Sequence, residues 1–458
     1  MQRPASTIPR PFHALGAVGA VGAALVVGVV VAALTWWRLG PATRGTVWAE
    51  DGGVFLRERL ALGPVDSLLH PYAGYLHLVP RVLVDVAWSV PVEEYARALS
   101  VGACLVVGAV AATVFVLSRE VVPQWPLRAL LAAVPALLPL APFEIAGNAA
   151  NLHWFLLFAV PWLLAYRART WWGSAVVAVL TGLVVLSELQ AVLFLPLLGL
   201  AWWPPRDPSG ARAWPRAVPV TVVALTGGVA QIVTAATDHR SRIAGSPTIA
   251  DVIAGWVLQP VAGIWNPDVG AAVRSVVTHG WGVVVVPVLL LTAVLVAAVV
   301  VAQWRARWVI VALAVASGGL WWAALYANGG EAQPWAAPTA ALAAVPPLRY
   351  AAASGLLLLA GAVVAASVLL GEQPRRKASG SAPTRFVRLL TGWCVVAVVV
   401  VATLGNVGPG PTRRSDGPVW ATQIPAAVAA CDGDPTGAVA VRKAPWLARV
   451  PCARLLER

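Results

Sequence analysis

Residues 282–302, GVVVVPVLLLTAVLVAAVVVA, carry no charged side chain and only one hydrogen-bonding side chain, Thr292. A helix crosses a bilayer with about 20 mostly apolar residues, because each residue rises about 1.5 Å through roughly 30 Å of hydrocarbon. Residues 14–37, ALGAVGAVGAALVVGVVVAALTWW, meet the same requirement near the N-terminus. Working outward from these two, further apolar runs fall near 98–118, 128–142, 153–166, 173–187, 189–203, 217–236, 309–326, 350–370 and 390–405, eleven in all. Four of them, 128–142, 153–166, 173–187 and 189–203, are short for a span and fit tilted, broken or re-entrant pieces held inside protein. The pattern predicts an all-α polytopic membrane protein of about eleven transmembrane helices, with a membrane domain over 1–405 and a small extracytoplasmic tail over 406–458.

Composition agrees. Apolar residues make up 59% of the 458 positions and charged residues 12%, where a soluble chain carries about 25% charge. The net charge of +13 is not gathered on a soluble amphipathic element. No zinc-finger, RNA-binding or helix-turn-helix pattern accompanies it, which leaves the bilayer and not nucleic acid as the reason for excess Arg. The first apolar run follows Arg3 and Arg10 but is too long for a signal-peptide core. Retained as a first span with its N-terminus in the cytoplasm, it places loops 119–128, 167–169, 204–216, 303–308 and 371–388 inside. These contain Arg375, Arg376 and Lys377, and only Glu120, Asp207 and Glu372 of the twenty acidic residues. That orientation satisfies the positive-inside rule and predicts a multi-pass plasma-membrane protein with an extracytoplasmic C-terminus. Cys431 and Cys452 then share a Gly/Pro-rich segment in a compartment that permits disulfides and are expected to pair. Cys104 and Cys394 sit in apolar spans, and Cys and His show no metal-ligand spacing.

The polar residues concentrate in successive outer loops. The first contains Glu50 and Asp51, adjacent carboxylates followed by Gly52 and Gly53 on a permissive turn. Val54–Leu62 with Gly63 behind it predicts a short helix and its C-cap, and Leu78–Val90 a second helix with Arg81 and Asp85 paired at i, i+4. Such helices lie along the membrane interface. Pro80 fits the first turn of the second, leaving Tyr75 and His77 at a helix mouth where an anion is favoured. The next outer loop, FEIAGNAANLHW over 143–154, offers Glu144, Asn148, Asn151 and His153. Glu188 and Gln190 stand between two apolar runs, where an acid is expensive unless it lines a cavity. His239, Arg240 and Arg242 form a basic cluster in the third outer loop. Each has a plainer reading as solvated charge, as the Arg81–Asp85 ion pair, or as an interfacial anchor at His153 and Trp154.

An acid shortly after the first span, interfacial helices in a long first outer loop, about eleven spans and a small external tail together resemble the C-type integral-membrane glycosyltransferases. The resemblance is most specific at WAEDG over 48–52 and at HPYAGYLHLVPR over 70–81. The latter is similar to the His-Pro-Pro-aromatic segment of several lipid-linked sugar transferases, with Tyr72 where the second Pro often stands, the mark of a divergent branch. The Ala, Val and Arg bias resembles actinobacterial polyprenyl-phosphate mannosyl- and arabinosyltransferases. The resemblance implies transfer of a sugar, mannose or arabinose foremost, from a polyprenyl-phosphate donor to an envelope glycan or glycolipid acceptor on the outer face, with inversion. On that expectation Asp51 is the general base with Glu50 beside it, and Glu144 is a second acid of the site. Arg81 and His77 stabilise the departing lipid phosphate, with His239, Arg240 and Arg242 as competing candidates. The resemblance implies no particular cofactor: metal use differs among these enzymes, and an Asp/Glu pair beside a phosphate is compatible with a divalent metal. A transporter or flippase of a lipid-linked sugar is the alternative, and a structural membrane subunit a third. A nucleotide-sugar enzyme is disfavoured because no cytoplasmic loop could hold a nucleotide-binding domain.

Overall fold

The computed structural model describes residues 17–203, 214–238, 243–371 and 382–457. His239, Arg240 and Arg242 lie outside the described residues. In chain order the helices are α1 (Ala17–Arg44), α2 (Leu56–Leu62), α3 (Leu78–Trp88), α4 (Tyr95–Leu117), α5 (Trp125–Leu137) and α6 (Leu152–Ala165). There follow α7 (Trp171–Val185), α8 (Leu198–Trp202), α9 (Val218–Thr237), α10 (Ile249–Trp256), α11 (Val269–His279) and α12 (Gly282–Val301). The last are α13 (Trp304–Ala327), α14 (Arg349–Leu370), α15 (Ala382–Leu404), α16 (Ile424–Ala430) and α17 (Cys452–Leu456). The only strands among the described residues, β1 (Ala438–Arg442) and β2 (Leu447–Pro451), pair antiparallel in the tail with Val439 opposite Val450.

Among the described residues seven helices, α1, α4, α9, α12, α13, α14 and α15, are long and apolar enough to cross a membrane. The chain is an all-α multi-pass membrane protein. The four short runs become α5, α6, α7 and a segment Leu189–Trp202, in which a 3-10 stretch interrupted by Pro196 leads into α8. α6 and α14 form the centre of the bundle. All fourteen residues of α6 are buried, and α14 packs on α5, α12, α13 and α15. Neither helix shows a polar face, as expected where protein surrounds a helix on every side. α1 and α4 cross closely because both are glycine at the contact. A Cβ on Gly108 would stand 2.5 Å from Gly28 O, the small-residue packing by which helices associate without hydrophobic driving force.

The connecting loops gather at two ends. At one end Arg119 donates to Tyr166 Oη at 2.6 Å, Arg305 to Ala165 O at 2.6 Å, and Arg305 pairs with Glu120 at 3.3 Å. The opposite end collects α2, α3, the loops over 138–151 and 328–348, and the tail. α2 does end on Gly63, in a left-handed conformation at φ 89°, and α3 carries Pro80 in its first turn with His77 as N-cap. Both leave apolar side chains outside, with Leu62 41% and Val86 57% exposed, as suits an interfacial position. The Arg81–Asp85 ion pair, the plainer of the two readings of these residues, does not form. Instead Arg81 bonds Glu58 at 2.6 Å and Arg59 bonds Asp85 at 2.9 Å, two ties between α2 and α3. Each guanidinium thus finds its carboxylate on the neighbouring helix and not one turn along its own.

Candidate functional site

At this end a small cavity, partly open to solvent, is lined by residues from five separate stretches of chain. Glu50 and Phe55 come from the first loop, Tyr72, Tyr75 and His77 from the segment before α3, and Asn151, His153 and Trp154 from the start of α6. Gln190 and the pair Arg349 and Tyr350, which open α14, complete the wall. The two most buried helices therefore each deliver their first turn to the cavity, on elements that cannot shift without disturbing the bundle core.

The adjacent carboxylates divide. Asp51, 1% exposed, accepts from Ala150 N at 2.8 Å and Ala149 N at 3.0 Å, one bond to each oxygen. Burial pushes its carboxyl up to about 7 against the pull of those two amides and of Arg414. It ties the first loop to the second and does not line the cavity. Glu50 does line it. Its Oε2 has no hydrogen-bond partner, and its Oε1 lies 3.9 Å from Arg349 Nη1. Of the two adjacent acids expected to serve the site, Glu50 is thus the one at the cavity, while both Asp51 oxygens accept from backbone amides behind it.

Arg349 was not singled out by sequence reading. Its Nη1 stands 3.5 Å from Glu144 Oε1 as well as 3.9 Å from Glu50, and Nη2 donates to Tyr350 Oη at 3.2 Å. Glu144 also meets Arg413 Nε at 3.1 Å. Glu50 and Glu144 thus converge through one guanidinium, although Glu144 stands behind the wall rather than in it. A signal existed, since on the orientation expected from the loop charges an Arg at this end of an apolar run runs against the positive-inside bias.

His77 is 2% exposed. Its Nε2 faces Tyr72 O at 3.1 Å. A carbonyl only accepts, so the proton is on Nε2 and Nδ1 is bare. Burial, with His153 and Arg81 nearby, holds the ring well below its ordinary pKa. The same burial favours the neutral ring, which has its one donor, Nε2–H, on Tyr72 O. Its ring lies 4.0 Å from Tyr75, itself 5.7 Å from His153. His153 Nδ1 is hydrogen-bonded to Glu188, whose other oxygen accepts from Gln190 N at 2.8 Å. Glu188 is fully buried and orients His153 from behind, while Gln190 reaches the cavity. Arg81 is displaced from its expected role, for it is buried over the Phe55 ring at 4.8 Å and paired with Glu58. Asn148, fully buried, donates to Glu144 O at 2.8 Å and accepts from Asn151 N at 2.9 Å, bracing the loop. Asn151 Oδ1 accepts from Trp154 Nε1 at 3.2 Å at the cavity edge.

Among the described residues no group of three or more His, Cys, Asp or Glu side chains is placed to hold a metal ion. The positive charge between Glu50 and Glu144 is that of Arg349, so the acid pair does not offer a free metal site. The tail packs on the first loop, Ala444 N donating to Val47 O at 3.1 Å, and contains a Cys431–Cys452 disulfide. No protein-family model, no curated protein and no solved structure matches the chain.

Proposed function

We propose that the chain is a membrane glycosyltransferase that moves a sugar from a polyprenyl-phosphate donor to a hydroxyl of an envelope glycan or glycolipid. The observation that carries this reading is the meeting of Glu50 with Arg349 in an aromatic-walled cavity at the rim of an apolar bundle. Tyr72, Tyr75, Trp154 and Tyr350 supply flat faces for a sugar ring, and Glu50 Oε2 is without a partner. Glu50 takes the proton of the acceptor hydroxyl as its oxygen bonds the anomeric carbon. The bond from that carbon to the phosphate oxygen breaks, its electron pair leaves with the polyprenyl phosphate, and configuration inverts. Arg349 faces the charge that grows on the leaving phosphate, and Glu144 holds Arg349 in place. Mannose and arabinose are the first sugars to test.

In this reading the chain crosses the plasma membrane eleven times, with the N-terminus in the cytoplasm and the cavity outside. The arginine-rich loops at the opposite end support that orientation, as does a disulfide at the cavity end. The test is purified protein in liposomes given synthetic polyprenyl-phosphate mannose or arabinose and a mixture of envelope glycolipid acceptors. Transfer of labelled sugar is expected. Movement of intact lipid-linked sugar between leaflets without any transfer would replace the enzyme with a flippase.

A further inference from the structure

The segment that carries the cavity acid is held from behind by the far C-terminus. Lys443, at the end of β1, is 2% exposed and donates from Nζ to Ala49 O at 2.6 Å. Its ammonium lies over the Trp446 ring at 4.5 Å. Gly52 and Gly53 are glycine because the lysine lies against them. A Cβ on Gly52 would stand 2.7 Å from Lys443 Cδ, and one on Gly53 2.7 Å from Nζ and 3.1 Å from Trp446. The following residue joins the same strip of backbone, Ala444 N donating to Val47 O at 3.1 Å. On the other side of Glu50, Tyr95 Oη donates to Asp51 O at 3.0 Å. The carbonyls immediately before and after Glu50 are thus each held by a side chain from a distant element.

Arg414 extends the hold to the second loop. Its guanidinium, 3% exposed, donates to Thr46 O at 3.1 Å, Gly147 O at 3.0 Å and Ala146 O at 2.7 Å. A buried ammonium that met only carbonyl and aromatic partners would gain little for stability, since an apolar isostere at such a place is often neutral or better. What lysine adds is its reach to Ala49 O and a positive charge near Glu50 and Asp51.

We propose that Lys443 is a positioning residue for Glu50, and that the tail is thereby a working part of the cavity and not an appendage. The proposal rests on the transferase reading only for its kinetic test. Hydrogen exchange does not depend on any reaction. The experiment uses full-length protein in nanodiscs with Lys443→Met, Gly53→Ala and the double variant. Gly53→Ala keeps the lysine but pushes Nζ from its place. Each single variant should raise amide exchange over 47–55 by about tenfold, the equivalent of one lost hydrogen bond, with β1 and β2 still protected. The double variant should exchange no faster than either, because both changes break the same contact. In sugar transfer, Lys443→Met should lower kcat by about 10–100-fold through misplacement of Glu50, with KM for the lipid donor within about threefold. Unchanged exchange over 47–55, additive effects in the double variant, or a fall in donor affinity at constant kcat would overturn the proposal. So would loss of protection throughout β1 and β2, which would make Lys443 a residue of tail folding. A wild-type protein that transfers no sugar would overturn the proposed function alone, and the exchange result would still decide the role of Lys443.

Discussion

Replacing Glu50 with Gln and Asp51 with Asn should have effects of different kinds, although the two residues are neighbours. Glu50→Gln preserves shape and leaves the Arg349–Glu144 contact at 3.5 Å, but it removes the one carboxylate among the described residues that line the cavity. Loss of a general base costs about 10²–10⁴-fold in rate, which corresponds to about 3–5 kcal/mol of barrier. Thermal stability should hardly move, because Glu50 Oε2 gives up no hydrogen bond. Asp51→Asn works on folding instead. The Ala149 and Ala150 amides, at 3.0 and 2.8 Å, each need an acceptor oxygen, and Asn offers one oxygen and one NH2 group. A buried N–H then faces a donor, at about 1–3 kcal/mol, and Arg414 loses the nearby Asp51 charge. The assays are sugar transfer in liposomes and thermal unfolding in detergent, run on the same preparations. Glu50→Gln should be inactive and wild-type in melting, and Asp51→Asn should melt lower and keep part of its activity. Glu50→Gln within threefold of wild type, with Asp51→Asn inactive at an unchanged melting temperature, would refute the assignment and return the base to Asp51.

Arg349→Gln leaves Glu50 and Glu144 without their shared cation, so transfer should fall by about 10²-fold or more as leaving-group stabilisation is lost. Steady-state rates with polyprenyl-phosphate donors of equal chain length would check it. Cys431→Ser with Cys452→Ser opens a loop of 21-residue separation. The entropic loss is about 3 kcal/mol, read as faster proteolysis of the tail with the helical bundle intact. Burial lowers the Lys443 ammonium from its ordinary 10.5 to about 8. Between those values the unfolded chain binds a proton that the native chain does not, so the group's unfavourable contribution is full below about pH 8 and is relieved as pH rises towards 10.5. Wild-type melting temperature should therefore gain on Lys443→Met across that window, and parallel pH profiles of the two proteins would contradict it.

Hydropathy was enough to read an all-α membrane chain. Runs such as 282–302 have only one stable solution in hydrocarbon, a helix that satisfies its own backbone. The Gly63 cap, Pro80 at the start of α3 and the pairing of Cys431 with Cys452 were legible for similar reasons. They depend on neighbours in sequence, or on two residues alone. Which acid faces the cavity was not legible. Glu50 and Asp51 are adjacent, and their fates are separated by the amides of Ala149 and Ala150, about a hundred residues away. The same holds for Arg349, Lys443 and Arg414, whose partners lie on other elements. It holds for Arg81, drawn to Glu58 across two helices rather than to Asp85 along one. Periodicity and caps are local and survive in the sequence as pattern. The direction of a buried charge follows from the partner that compensates its desolvation, and only the folded chain brings that partner within reach.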